Sequence, residues 1–400
     1  MRILFADQFP TPAVEALVEE GCDCELMPGL TAAEIPAASQ GFDVLVVRST
    51  GVTADVFENS PSVSLVIRAG AGTNTIDKEA AAGAGVIVAN VPGRNAVAVA
   101  ELTMGLMLSL DRRIPDNVVA ATAGEWKKGE FSKADGLMGK TLGVIGFGSI
   151  GQEVATRARA FGMEVAVVAK ARSEAASDAI ERLGVREVDS LLDLAAASDV
   201  VTLHVPANGD TKHLIDTEFL AAMQEGATLI NTSRASVLDE GQVLEAMGSR
   251  GLRVAVDVFE DEPGSKEKAF TSAFAQHPDV LVTHHIGAST QQAEDAVAEG
   301  VVDLLHQYRV GALANAVNMD STPGGAVLTV RHQDKVGVLS DVLYELKRSG
   351  VNIREMSNHV FAGAGAAFAT IRVSSDISPE VVALLNATPE VIYCSLRESD

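Results

Sequence analysis

The segment Gly146-x-Gly148-x-x-Gly151 lies between the apolar run TLGVI and the helix-forming stretch SIGQEVATRARAF. This context constrains the fold more than any other feature, because a strand must enter the glycines and a helix must leave them. Glycine permits the tight turn. It also lets a pyrophosphate approach the first amide groups of the helix, so Gly146, Gly148, Ser149, Ile150 and Gly151 are candidate dinucleotide contacts. The same alternation runs through most of the chain. RILFAD, DVLVVRS, SLVIRAG and GVIVAN precede the glycine segment, and MEVAVVA, DVVTLHVP, ATLINTS, LRVAVDVF and VLVTHH follow it, separated by Ala/Leu/Glu-rich stretches. Short β-branched runs alternating with helical ones predict parallel sheets covered by helices.

A long Ala/Leu/Met segment from Asn95 to Leu110 reads as a buried helix, and another helix is expected from Thr290 to Tyr308. GALANAVNMDSTPGG carries the Gly, Asn and Pro of a linker. Beyond it, AVLTVRH, a helix from Val338 to Ser349, VNIREM, FATIRV, a helix after Pro379 and VIYCSLR make a β-α-β-β-α-β pattern. A small ferredoxin-like domain is expected there.

Charge narrows the partners. The 31 Lys and Arg against 54 Asp and Glu give a net charge of −23, which argues against nucleic acid and against anionic membrane surfaces. Charged residues interrupt every apolar stretch before the ~18 residues of a membrane span. The opening MRILFADQF reads as a first strand, and Cys22, Cys24 and Cys394 are too few for a disulfide framework, so a cytoplasmic location is expected. Cys22 and Cys24 have no partners at ligand spacing, and no metal site is expected.

Two local features concern chemistry. In dinucleotide sites that take NAD, a carboxylate at the end of the second strand accepts the ribose hydroxyls. Here MEVAVVA ends in Ala169, followed by Lys170 and Arg172. Those cations suit a 2′-phosphate, so NADP is expected to be accepted beside NAD; a solvated basic turn on an NAD enzyme is the competing reading. Arg234, Glu262 and His285 stand just past the carboxyl ends of three later apolar strands, the edge at which ligands bind in open α/β sheets. Oxidising an alcohol by hydride transfer needs a base, a partner that keeps it basic and a cation for the substrate carboxylate. His285, Glu262 and Arg234 supply those roles.

These segments, with RSTGVTADV, IRAGAGTNTID, NVPGRNAVAVAE, NTSRASVLDE, DVFEDEP and HHIGAST, resemble the D-isomer-specific 2-hydroxyacid dehydrogenase family, and most of all its phosphoglycerate-oxidising members. The resemblance runs from about Phe42 to Val317. It implies a Rossmann-type cofactor domain (96–287) inserted into a flavodoxin-like substrate domain (1–95 and 288–318), then a linker (319–325) and an ACT-like module (326–400). It also implies that the amides of Gly70, Ala71 and Gly72 cradle the substrate carboxylate. Asp257 would hold the nicotinamide carboxamide, while His204, Pro206, Thr232 and Ser233 would line the cofactor. His284 is expected only to pack.

By the same resemblance Arg48 and Arg68 approach a substrate phosphate. Asn95 falls in the N-x-P-x-x-N motif, and Arg94 of that motif either adds an anion contact or is solvated. Asn74 stands where the family carries Asp. D-K-x-G-V-L and G-V-N-I mark the ACT-like module, with Val336 in place of the usual proline. His332, Asp334 and Asn352 are its candidate contacts for an amino-acid effector such as L-serine, against a purely structural role. The implied activity is oxidation of D-3-phosphoglycerate or its reverse, on a small anionic 2-hydroxy or 2-oxo acid, in a homodimer or homotetramer. Reduction of hydroxypyruvate, glyoxylate or another 2-oxoacid with NADPH is the alternative. A non-catalytic nucleotide-sensing scaffold is a third reading.

Overall fold

The computed structural model describes residues 1–263, 269–313, 315–319, 326–363, 365–374 and 377–397. The expected linker, Met319 apart, lies outside the described residues. The chain forms two compact units, Met1–Asn318 and Met319–Asp400.

The first unit contains two parallel sheets. Strands β1 (Arg2–Phe5), β2 (Asp23–Leu26), β3 (Val44–Val47), β4 (Leu65–Arg68) and β5 (Ile87–Asn90) are ordered β2-β1-β3-β4-β5, the flavodoxin-like arrangement. Its middle strand β3 is apolar and buried at every position because both faces are covered. Ile3, Phe5, Val46 and Ile67 point to one side, while Leu4, Leu45, Val47 and Val66 point to the other. The first side is closed by a helix from much later in the chain, Gln291–Arg309, which buries Ala298, Val301, Leu304 and Leu305 against it. Thr290 caps that helix by accepting the Ala293 amide at 3.1 Å.

The second sheet comprises β6 (Thr141–Ile145), β7 (Glu164–Val168), β8 (Arg186–Val188), β9 (Val200–Leu203), β10 (Thr228–Asn231), β11 (Arg253–Val256) and β12 (Val280–Val282). The order β12-β11-β10-β9-β6-β7-β8 is that of a Rossmann fold with one added strand, and it reverses direction between β6 and β9. Gly146 follows β6, and the helix Ser149–Ala160 begins directly behind Gly148. The Ala/Leu/Met segment is a 17-residue helix, Ala96–Arg112, which packs on β10, β11 and the helix Ser149–Ala160 and whose Ala100, Met104 and Met107 join the core there.

The second unit is a four-stranded antiparallel sheet of β13 (Val327–Gln333), β14 (Ile353–Val360), β15 (Ala366–Val373) and β16 (Val391–Arg397), ordered β14-β15-β13-β16. Helices Val338–Arg348 and Pro379–Ala387 bury Val342, Leu346 and Leu385 with Leu328, Val330 and Ile371, completing a ferredoxin-like fold. His332 corrects an expectation here. It is 2% exposed, with Nδ1 2.8 Å from the Gln333 carbonyl and Nε2 3.0 Å from Asn358 Oδ1. Ala367 and Ala369 on the intervening strand leave room for that contact, so the His332 ring is enclosed within this unit and is not the exposed effector contact expected. Asp334 and Asn352 remain exposed. Among the described residues, no helix is long and apolar enough to cross a membrane.

Candidate active site

The carboxyl ends of the second sheet face a cleft of about 430 Å³. Its walls bring together Ala71, Gly72, Asn95, Ile150, His204, Pro206, Thr232, Ser233, Arg234, Asp257 and His285, residues drawn from both sheets.

His285 leaves β12 in the left-handed region, φ 51°, a conformation that costs a non-glycine residue and persists only where neighbours enforce it. Asp257, at the end of β11 and 1% exposed, does so. Its carbonyl accepts the His285 amide at 2.9 Å. Its carboxylate accepts the Thr283 hydroxyl at 2.6 Å and the amides of Ile286 and Gly287 at 2.9 and 2.8 Å. Three of about four acceptor positions are thus spent on the loop, leaving one toward the cleft. His285 Nδ1 lies 2.7 Å from Glu262 Oε2, and the other Glu262 oxygen accepts the Phe259 amide at 3.0 Å. The hydrogen bond to Glu262 raises the His285 pKa despite partial burial, aided by the charges of Glu262 and Asp257 and opposed by Arg234. His284, expected to pack, is exposed.

Arg234 follows β10 in a turn pinned by Asn231, whose side chain donates to the Arg234 carbonyl at 2.9 Å and accepts from the Ser233 amide at 3.0 Å. Thr232 meets Thr103 at 3.1 Å. The Arg234 guanidinium lies so close to Gly72 that a Cβ there would stand 2.7 Å from Nη2. No amide of Gly70, Ala71 or Gly72 has a partner among the described residues. Gly70 itself lies against Arg68.

The glycine segment fits a dinucleotide. Gly146 has φ 97°, and a Cβ on it would meet the His204 carbonyl oxygen at 2.3 Å; one on Gly151 would meet the Gly146 oxygen at 2.1 Å. Only bare backbone lets β6, β9 and the helix converge so closely. Burial pushes the His204 imidazole down to about 3, keeping it neutral. Its Nε2 pairs with Thr202 at 3.0 Å, while the buried Nδ1 has no partner.

At the end of β7, Lys170 is exposed. Arg172 is not available as expected. Its side chain is 7% exposed, bonded to Glu187 at 2.7 Å, to the Lys170 carbonyl at 3.1 Å and to the Val168 carbonyl. The guanidinium closes the strand end and does not reach outward.

The arginines of the first sheet separate. Arg48 and Arg68 line a side chamber of about 70 Å³ that shares Asn95 and Ala288 with the main cleft. Burial, with the neighbouring Arg234 and Arg48, lowers the Arg68 pKa. The buried Nε of Arg68 and Oδ1 of Asn95 have no hydrogen-bond partner. Asp7 holds the Arg48 segment by accepting the amides of Arg48, Ser49 and Thr50 at 2.7, 3.0 and 3.1 Å, and against the opposing effect of burial those bonds lower its pKa. Arg94 corrects the expectation of an anion contact. It lies 3.0 Å from Asp303 and 3.8 Å from Glu299 on the returning helix, where it ties that helix to the segment after β5.

Sequence reading missed two residues. Lys78 lines the main cleft, and Glu294 lines the side chamber, 2.7 Å from Arg48. Glu294 sits in the first turn of its helix, where an acid has a sufficient local reason to be, so nothing in the sequence marks it.

Comparison with known proteins agrees with this architecture. Residues 104–287 match the NAD-binding domain of the D-isomer-specific 2-hydroxyacid dehydrogenases. The chain is 39% identical to a D-3-phosphoglycerate dehydrogenase of Methanocaldococcus jannaschii over 85% of its own length, spanning 62% of that relative. It is 42% identical to a hydroxypyruvate reductase of Thermotoga maritima over 65% of its length, spanning 83% of that relative. The crystal structure of Escherichia coli D-lactate dehydrogenase superposes with a TM-score of 0.67 at 26% identity, covering 79% of this chain and 100% of that one. With its two parallel sheets, and with Ile150 behind the glycine turn, Arg234 and His285 lining one cleft, the chain belongs to the D-isomer-specific 2-hydroxyacid dehydrogenase family.

Proposed function

We propose that this chain interconverts D-3-phosphoglycerate and 3-phosphohydroxypyruvate with a nicotinamide cofactor, as an entry to serine biosynthesis. The observation that carries this reading is the side chamber, in which Arg48 and Arg68 stand beyond Arg234 and His285. A three-carbon acid held at one end by Arg234 would send its far group toward them, and guanidinium groups suit a phosphate.

Residues 1–95 and 288–318 act as the substrate half and 96–287 as the cofactor half. The helix start behind Gly148 receives the pyrophosphate, with Ser149 and Ile150 beside it, and the remaining Asp257 lone pair suits the nicotinamide carboxamide. A nicotinamide cofactor held there would supply the acceptor for the C2 hydride during oxidation and its donor during reduction. Arg234 and the amides of Gly70, Ala71 and Gly72 hold the substrate carboxylate. With Nδ1 committed to Glu262, His285 presents Nε2, which accepts the C2 hydroxyl proton during oxidation and returns it during reduction. Glu262 stabilises the imidazolium that results. The same pair speaks against a non-catalytic scaffold.

Lys170 remains available to a 2′-phosphate and Arg172 does not, which supports NAD as the working cofactor with NADP also accepted. Exposed Ile114, Val118, Val119 and Trp126 support assembly into a homo-oligomer. Asp334 and Asn352 remain candidates for binding an amino acid such as L-serine, which a titration of activity with serine tests.

A second reading, reduction of hydroxypyruvate or glyoxylate, is favoured by one observation: Arg48 is already paired with Glu294. Cofactor absorbance assays with D-3-phosphoglycerate in one direction, and with 3-phosphohydroxypyruvate and hydroxypyruvate in the other, test both. A kcat/KM for the phosphorylated acid below that for hydroxypyruvate overturns the first reading.

A further inference from the structure

We propose that Glu294 is a specificity-determining residue, whose carboxylate competes for Arg48 with any anionic group carried on C3 of the substrate. The inference rests on reading the main cleft as a 2-hydroxyacid site. The side chamber adjoins that cleft through Asn95 and Ala288, so a group on the substrate's far end enters it. There Arg48 Nη1 and Glu294 Oε1 lie 2.7 Å apart, each side chain 35% exposed. Arg68, facing the same chamber, is left with a buried Nε that has no partner. The charges of Arg234 and Arg48 both act on Arg68 here, and Glu294 is the carboxylate bonded to Arg48 within the chamber.

A phosphoryl group and the Glu294 carboxylate seek the same donors. A phosphoryl group bonded to Arg48 would stand within reach of the Glu294 carboxylate, which already holds Arg48 Nη1 at 2.7 Å inside the chamber. A phosphorylated substrate must therefore displace Glu294 from Arg48 or lie against a like charge, and both cost binding. An uncharged hydroxymethyl group does neither. Glu294 thus sets the ratio in which the enzyme accepts phosphorylated and unphosphorylated acids. A residue that merely held Arg48 in place for the phosphate would act with the opposite sign.

The test compares kcat/KM for 3-phosphohydroxypyruvate and hydroxypyruvate, with NADH, in the wild type, Glu294→Gln and Glu294→Asp. Thermal melting and NADH affinity establish that each variant is folded. Glu294→Gln should raise the phosphorylated-to-unphosphorylated ratio by roughly tenfold or more, chiefly through KM for the phosphorylated acid. Glu294→Asp, one methylene shorter, should fall between. An unchanged ratio overturns the proposal, and a lowered ratio assigns Glu294 to positioning Arg48. Should the wild type turn over neither compound, the functional reading fails separately. Calorimetry with inorganic phosphate then decides: tighter binding to Glu294→Gln than to wild type supports competition, and equal or weaker binding overturns it.

Discussion

His285 Nδ1 and Glu262 Oε2 lie 2.7 Å apart, joining the segments that follow β12 and β11 of the cofactor sheet. An ionised carboxylate can only accept, so Nδ1 carries the proton and Nε2 is the nitrogen left for the cleft. The pair is held from behind by Asp257, which receives the amides of residues 285–287 through its carbonyl and carboxylate.

His285→Ala should lower kcat by roughly 10²–10⁴-fold while NADH affinity changes little, since the imidazole moves a proton and does not carry the dinucleotide. Steady-state kinetics beside a fluorescence titration of NADH check this; near-normal turnover would refute the role.

Glu262→Gln tests the raised pKa. Oxidation needs the neutral imidazole, so in the wild type it should rise with pH only above the ordinary histidine range, whereas reduction, which needs the imidazolium, should persist there. Without the carboxylate both limbs should move to lower pH, with a smaller maximum. The stability linkage has the same sign. A raised folded pKa contributes stability below the unfolded value and loses it as pH climbs through the folded one. Melting temperatures of wild type and variant should therefore differ more in mild acid than in mild base.

Gly146→Ala places a methyl 2.3 Å from the His204 carbonyl oxygen on a residue with φ 97°. A destabilisation of about 1–3 kcal/mol is expected from such overpacking, with loss of NADH binding. Urea denaturation and a cofactor titration measure the two effects, and wild-type values for both would contradict the turn geometry.

Lys170 and Arg172 should part company. Lys170→Glu should reduce kcat/KM with NADPH by about tenfold and leave NADH within about threefold. Arg172→Gln, which removes the guanidinium that closes the end of β7, should lower the melting temperature without a comparable change in cofactor ratio. The reverse pattern would place the phosphate at Arg172.

Arg94→Ala should leave kcat/KM within about twofold, because its guanidinium serves Asp303 and Glu299 and not the cleft. A large rise in KM confined to the phosphorylated substrate would show that the ion pair opens during binding.

Much of the molecule is legible locally. Unbroken apolar strands alternating with helices can be satisfied only by parallel sheets buried on both faces, and the glycine turn marks where one of them meets a helix. His285, Glu262 and Arg234 stand at strand ends, where the backbone alone delivers them to a common edge.

What the sequence by itself determined is therefore the alternation of strands and helices and the type of sheet they form, because these follow from short-range periodicity and turn chemistry. Only the tertiary structure decided which charges are free. Arg94 meets Asp303 across 209 residues, and Arg48 meets Glu294 across 246, because the helix Gln291–Arg309 returns to the first sheet. Arg172 folds onto a neighbouring strand to reach Glu187, and His332 reaches Asn358 over two alanines. A charged side chain takes the partner that packing brings within hydrogen-bond distance, and that distance is set by how sheets and helices close around a core.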